Sequence, residues 1–176
     1  HGWIEVCGIP SKSSIETKQK FEATLRDMLS DSNQPGEIVG RVHTDEGTEF
    51  MGEFDDYLRK INARHTNTGA YNSTSNPAEE ANARVQQTVR AMLSESTGGM
   101  LYYNELRGLV MKRAAYCINR CDQSDGKSSY ERAWGEKFQW GAEEHKFGAR
   151  CLGALPKPTR EDKMQRVTVG GILVGS

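Results

Sequence analysis

His43-Thr44-Asp45-Glu46-Gly47-Thr48-Glu49-Phe50 follows a short apolar run, Ile38-Val39-Gly40-Arg41-Val42, and its reading decides the fold. Ile38, Val39 and Val42 predict a short, largely buried strand, so Asp45 emerges at its carboxyl end, where open α/β sheets carry their sites. Glu46-Gly47 then turns the chain. Phe50, Phe54, Tyr57, Leu58 and Ile61 recur at helical spacing and predict a helix packed back on the sheet, and Arg64 to Asn67 predicts the next strand. The loop from Thr68 to Pro77 is made of Gly, Asn, Ser and Thr, with Pro77 suited to a first helical turn. Beyond it Ala78, Ala81, Val85, Val89, Met92 and Leu93 form one apolar stripe. Glu79 lies off that stripe, beside Asn82, Ala83 and Gln86 at the i+3, i+4 and i+7 positions.

Upstream, Trp3-Ile4-Glu5-Val6 predicts a first strand, and Ser13 with Glu16 forms the pattern of a capping box. Ile15, Lys18, Phe21, Leu25, Met28 and Leu29 follow at helical spacing, their apolar members read as core, until Ser32-Asn33-Gln34-Pro35-Gly36 stops the helix. The order strand, helix, strand, helix, strand, helix implies an α/β layer architecture. Downstream, Thr97-Gly98-Gly99 breaks the long helix, and Leu101, Leu106, Leu109, Val110, Ala114, Cys117, Ile118 and Cys121 predict another that packs across the sheet. Lys112, Arg113 and Arg120 on that helix read as a solvated face. Tyr130, Trp134, Phe138 and Trp140 alternate with Arg132 and Lys137, which suits either a base-stacking surface or, the preferred reading, anchors pinning a connecting segment to the core. Gly141 to Glu144 reads as a boundary, with strands over Phe147 to Leu155 and Val167 to Val174 beyond it. A β module that small buries little alone, so it should dock on the core or pair with strands beyond Ser176.

The 176 residues, 36% of them hydrophobic, suffice for one substantial core plus an appendage. A formal net charge of −1 offers no global attraction for nucleic acid, so any DNA surface must be a local patch. No apolar run reaches membrane-span length and no signal peptide is visible, which predicts neither a membrane partner nor secretion. The four cysteines lack metal-ligand spacing and read as small apolar side chains facing a core in a reducing compartment. Two carboxylates on adjacent rigid elements, Asp45 and Glu79, suit Mg²⁺ or Mn²⁺, which prefer oxygen ligands. Among 24 acidic residues, spacing alone does not separate such a pair from solvated surface.

The run from His43 to Phe50 resembles the H-S-D-N-G-x-E-F signature around the second catalytic aspartate of retroviral-type integrases, in its copia-type retrotransposon form. Asn76-Pro77-Ala78-Glu79, followed by Asn82, Val85, Arg90, Ala91, Met92 and Leu93, is similar to that family's N-G-V-A-E-R-x-N helix, whose glutamate is the third catalytic carboxylate. Tyr116-Cys117-Ile118-Asn119-Arg120 and Gly126-Lys127-Ser128-Ser129-Tyr130-Glu131 resemble its Y-x-I-N-R and G-K-T-P-Y-E segments. Phe147-Gly148 and Gly170-Gly171-Ile172-Leu173-Val174-Gly175 resemble its F-G-C and G-I-F-L-G-Y strands. The matches keep the family's order over nearly the whole chain.

The resemblance implies an α/β fold, a ribonuclease H-like integrase core lacking its first strands over residues 1–140, followed by a small β appendage over 145–176. It implies DNA integration by metal-dependent polynucleotidyl transfer, with Asp45 and Glu79 as catalytic metal ligands for Mg²⁺ or Mn²⁺. Aligning on Asn76-Pro77 selects Glu80 instead; an ungapped helix selects Glu79, which is preferred because a helix cannot shift without rotating its core face. Asn82, Arg84 and Gln86 are the implied DNA contacts, the family's lysine one turn after the glutamate being Ala83 here. The family's first catalytic aspartate has no counterpart, since Trp3 to Ser13 resembles its later W-V-Y-P-L-K-S-K strand and the chain starts with His1, as a fragment would. The isolated chain is therefore expected to be inactive. The family's His/Cys zinc module has no match either, so no zinc is expected. The implied partners are element-end and target DNA and, in the intact protein, further copies of itself, in a nuclear or cytoplasmic particle. The alternative is a non-catalytic module of a decayed or domesticated integrase that binds nucleic acid or itself.

Overall fold

A computed structural model describes residues 2–31, 39–68, 77–96, 103–141, 147–154 and 168–172. Its elements run α1 (Ser14–Asp31), β1 (Arg41–Thr44), a 3₁₀ turn (Thr48–Phe50), α2 (Glu53–Lys60), β2 (Arg64–Asn67), α3 (Pro77–Glu95), α4 (Tyr103–Arg120), α5 (Ser129–Trp134), β3 (Arg150–Ala154) and β4 (Thr168–Ile172). Local chemistry accounts for several ends. The Ser13 hydroxyl accepts the Glu16 N–H at 3.2 Å, the first half of the expected capping box, while the Glu16 carboxylate turns to the Ser11 N–H at 2.7 Å. Pro77 opens α3, where a missing N–H costs nothing.

β1 and β2 pair in parallel, Arg41 opposite Arg64 through Thr44 opposite Asn67. The pair extends by one bond at each end, Arg64 N–H to the Gly40 carbonyl at 3.0 Å and Thr68 N–H to the Thr44 carbonyl at 2.9 Å. The expectation of a largely buried strand is corrected: Val42 is half-buried and Thr44 buried, but Arg41 and His43 face solvent. Alternation by two puts Val42, Thr44, His65 and Asn67 on the face toward α2 and leaves the other face polar.

Two apolar clusters hold these elements. In the first, Phe54, Leu58 and Ala63 are buried, with Phe21, Val39, Val42, Phe50, Tyr57 and Ile61 packed around them. Ser14 ties α1 to this cluster, its hydroxyl accepting the Phe54 N–H at 3.1 Å and donating to the Met51 carbonyl. In the second, Val85, Val89 and Leu93 of α3 meet Val110, Ala114 and Ile118 of α4 and Phe147. The Phe147 ring enters this core just before β3, and Gly148 (φ +77°) lets the backbone pass against Ser96, whose Cβ would lie 2.3 Å from any added Cβ. β3 and β4 pair antiparallel, Arg150 opposite Ile172.

Four further expectations are corrected. Residues 3–6 form no strand: with no ladder partner, the segment is held by a side chain instead. Asn119, 2% exposed, accepts the Ile4 N–H on Oδ1 at 2.9 Å and donates from Nδ2 to the Ile4 carbonyl at 2.7 Å, while Ile4 and Val6 pack on the second cluster. α4 packs on α3 and α5, not across the β1–β2 sheet. Cys121 and Cys151 are exposed and do not face a core, while Cys7 and Cys117 are half-buried. Ile15, Met28 and Leu109, read as core, are 54%, 44% and 45% exposed, because each helix here meets a neighbour along a narrower stripe than its apolar residues cover. Leu101, the 97–99 break and the boundary over 142–144 lie outside the described residues. No helix among the described residues is long and apolar enough to cross a membrane.

Candidate functional site

Asp45 follows the last residue of β1, at the carboxyl end where the sequence places it. Its carboxylate is exposed, and Oδ1 accepts the Gly47 N–H at 3.0 Å, which closes the turn over its own side chain. Glu49 reaches the same turn. A Cβ on Gly47 would lie 2.6 Å from Glu49 Oε2 and 3.0 Å from Asp45 Oδ1, so glycine there leaves room for both carboxylates. Lys12 Nζ stands 3.8 Å from Glu49 Oε1 and offsets part of that charge. Sequence reading passed over Glu49; its signal is the four-residue spacing from Asp45 across a glycine turn.

Glu79 and Glu80 both occupy the exposed first turn of α3, where the helix dipole favours acidic side chains. A groove of about 710 Å³ separates that turn from residues 2–7. Glu80, Asn82 and Arg84 line it, facing Glu5 and Cys7, whereas Asp45, Glu79 and Gln86 lie outside its lining. Of the sequence-predicted residues, the groove thus brings together Glu80, Asn82 and Arg84. Among the described residues, no group of three or more His, Cys, Asp or Glu side chains gathers as a metal cage.

Behind Asp45 lies a hydrogen-bonded chain that periodicity did not reveal. Asp55 Oδ1 stands 3.0 Å from His65 Nδ1, and His65 Nε2 stands 2.9 Å from the Thr44 hydroxyl. That hydroxyl also reaches the Asp45 carbonyl at 2.9 Å and Asn67 Oδ1 at 3.2 Å. The His65 hydrogen bond holds the Asp55 carboxyl below its usual range; burial opposes this, and the Arg59 guanidinium adds to it. A carboxylate with a lowered folded-state value stabilises the fold above the unfolded value, near pH 4, and loses that contribution as pH falls through the folded value. Unfolding free energy measured below about pH 5 should therefore fall less steeply in Asp55→Asn than in the parent chain; equal slopes would remove this role.

On the sheet's other face His43 bridges two threonine hydroxyls, Thr66 through Nδ1 and Thr68 through Nε2, both at 2.9 Å. It is a satisfied histidine at the strand end. Further away, the Arg120 guanidinium lies 3.6 Å from the Tyr116 ring centroid, 4.8 Å from Phe138, 5.5 Å from Tyr130 and 5.9 Å from Trp3. Arg113 covers Tyr116 at 4.8 Å. The expectation of a solvated basic face is thereby corrected for both arginines, which sit on aromatic faces. Tyr130 stacks on Trp134 at 4.9 Å, and Phe138 meets Tyr116, Tyr130 and Trp140 edge-on, so these rings pin the segment after α5 to α4.

The chain matches no family model and no curated protein. Among solved structures it is similar to the catalytic core domain of BIV integrase, at 16% identity and a TM-score of 0.53 over 75% of this chain and 78% of that one. Two others score lower. One is the HTLV-2 integrase catalytic core domain in complex with magnesium, in dimeric form (16% identity, TM-score 0.42, 68% of each chain). The other is the simian T-cell lymphotropic virus intasome in complex with PP2A regulatory subunit B56 gamma (15% identity, TM-score 0.47), where the match covers 88% of this chain and 54% of that one. The likeness to the BIV core gives the fold: α/β, of the ribonuclease H-like integrase-core type.

Proposed function

We propose that this chain is part of a metal-dependent polynucleotidyl transferase that integrates DNA, a copia-type retrotransposon integrase core over residues 1–140 with a β module over 145–176. The observation that carries the reading is the position of Asp45: a carboxylate directly after a parallel strand, in an integrase-core fold. The donor chemistry fits Mg²⁺ or Mn²⁺, since Asp45, Glu79 and Glu80 offer only oxygens and all three side chains reach solvent. A bound divalent ion would activate the attacking hydroxyl and stabilise the leaving oxygen. Asp45 holds its carboxylate at the strand end with one oxygen oriented by Gly47, and the helix carboxylate is Glu79 in an ungapped alignment or Glu80, which faces the groove. Asn82 and Arg84 in that groove, and Gln86 outside it, are the proposed DNA contacts. The residues matched to the family supply two of its three carboxylates, so activity of these 176 residues by themselves is expected to be negligible. Element-end and target DNA, further copies of the chain and an intracellular location in a nuclear or cytoplasmic particle belong to the same proposal.

The test is Mn²⁺ binding followed by paramagnetic broadening of amide signals. Broadening should centre on residues 45–47 and on the first turn of α3, and Asp45→Asn should weaken it about tenfold or more. Glu79→Gln and Glu80→Gln, measured separately, identify the helix ligand. Broadening that ignores Asp45→Asn would sink the metal-site reading and leave a non-catalytic module that binds nucleic acid or itself.

A further inference from the structure

Counting hydrogens at the end of β1 leads to a role for His65. The Asp55 carboxylate only accepts, so His65 Nδ1 must carry the proton between them, at 3.0 Å. Thr44 has one hydroxyl hydrogen and three groups within reach: the Asp45 carbonyl at 2.9 Å, His65 Nε2 at 2.9 Å and Asn67 Oδ1 at 3.2 Å. With a neutral ring, Nε2 is an acceptor and competes for that hydrogen; satisfying it leaves the Asp45 carbonyl without this donor. With a doubly protonated ring, Nε2–H donates to Thr44, and the hydroxyl is released to donate to Asp45. The two ring states thus impose opposite directions on one hydroxyl.

We propose that His65 is a positioning residue for Asp45: its ring proton, relayed through the Thr44 hydroxyl, decides whether the Asp45 carbonyl is anchored, and so sets the Asp45–Gly47 turn from which the carboxylate projects. Its functional meaning rests on Asp45 as a metal ligand; the relay itself does not. Thr44 is 8% exposed and the His65 side chain 14%, so water has little room to replace either partner. The turn is a lever for the carboxylate, because Asp45 Oδ1 is bonded to Gly47 N–H at 3.0 Å. Among the described residues the ring meets Asp55 of α2, Thr44 of β1 and the Phe54 ring at 6.0 Å, and Asn67 of β2 is reached through the Thr44 hydroxyl. Arg59 pairs with the same Asp55 carboxylate, so the guanidinium and the ring share it. His43 lies on the opposite face, bonded to Thr66 and Thr68, and is followed separately.

The experiment is an NMR titration of the metal-free chain over roughly pH 5 to 8, reading both histidine rings and the Glu46 and Gly47 amides. The amides should shift with the midpoint of the His65 ring and not with that of His43. In Thr44→Val the His65 ring should still titrate while the amides lose that component, and Thr44→Ser, which keeps the hydroxyl, should restore it. Should the valine variant not fold, His65→Gln serves: the component must vanish while the His43 titration persists. Amides that stay flat through the His65 midpoint, that follow it unchanged in Thr44→Val, or that keep the component in His65→Gln overturn the relay. Mn²⁺ added to a parallel sample separates the two ideas. Coupled amides without broadening at Asp45 keep the relay and remove the ligand; broadening without coupling does the reverse.

Discussion

Phe54→Ala is expected to lower the unfolding free energy by about 3–5 kcal/mol, a large part of the roughly 5–15 kcal/mol available to a domain. Phe54 is 1% exposed and meets Phe21 at 5.3 Å and Phe50 at 5.4 Å, both edge-on, with His65 at 6.0 Å. These neighbours come from α1, the 3₁₀ turn and β2 respectively. A cavity walled by three separate elements cannot collapse without moving one of them, so the loss should sit near the upper end of the range. Because the ring also borders His65, the same variant should perturb the Asp55–His65–Thr44 chain. Denaturant unfolding followed by near-ultraviolet dichroism checks this. A loss below about 1 kcal/mol would mean that this cluster does not hold α1, α2 and the sheet together.

Asn119→Ala should cost about 2–6 kcal/mol by a different route. Two half-buried backbone groups of Ile4 lose their partners at once, and each polar group left unpaired away from water costs about 1–3 kcal/mol. Should residues 2–7 instead lift away, Ile4 and Val6 lose their packing on the second cluster at comparable cost. Trp3, whose ring lies 4.8 Å from Trp134, would then enter water, so its fluorescence reports which outcome occurs. Amide exchange at Ile4 should accelerate either way. Asn119→Asp retains the acceptor for the Ile4 N–H but loses the donor to its carbonyl, and its Ile4 exchange should fall between the two. Unchanged exchange in the alanine variant would show that the clamp does not hold the segment.

Segments whose conformation is set by their own residues were legible. Arg64 to Asn67 forms β2 as read, Pro77 begins α3, and the Ser13 hydroxyl caps α1. The stripe Val85, Val89 and Leu93 is buried as its spacing requires. What needed a partner was not legible. Trp3 to Val6 has the composition of a strand, but a strand exists only beside another, and an asparagine side chain 115 residues away takes that place. Arg113 and Arg120 looked like surface charges until the rings of Tyr116, Phe138 and Tyr130 closed on Arg120 from three parts of the chain. His65 carried no motif; its meaning lies in Asp55 and Thr44, 10 and 21 residues before it.

By itself, the sequence determined that an aspartate would stand at the carboxyl end of a short strand and that a helix beginning near Pro77 would carry acidic residues in its first turn. Both follow from alternation, helical spacing and turn chemistry, which act over a few residues. Only the tertiary structure decided which of these side chains share the groove: Glu80, Asn82 and Arg84 line it opposite Glu5 and Cys7, and Glu79 lies outside its lining. The reason is geometric. A helix turns by 100° per residue, so neighbours such as Glu79 and Glu80 point to different surroundings, and what waits there is set by how distant elements pack.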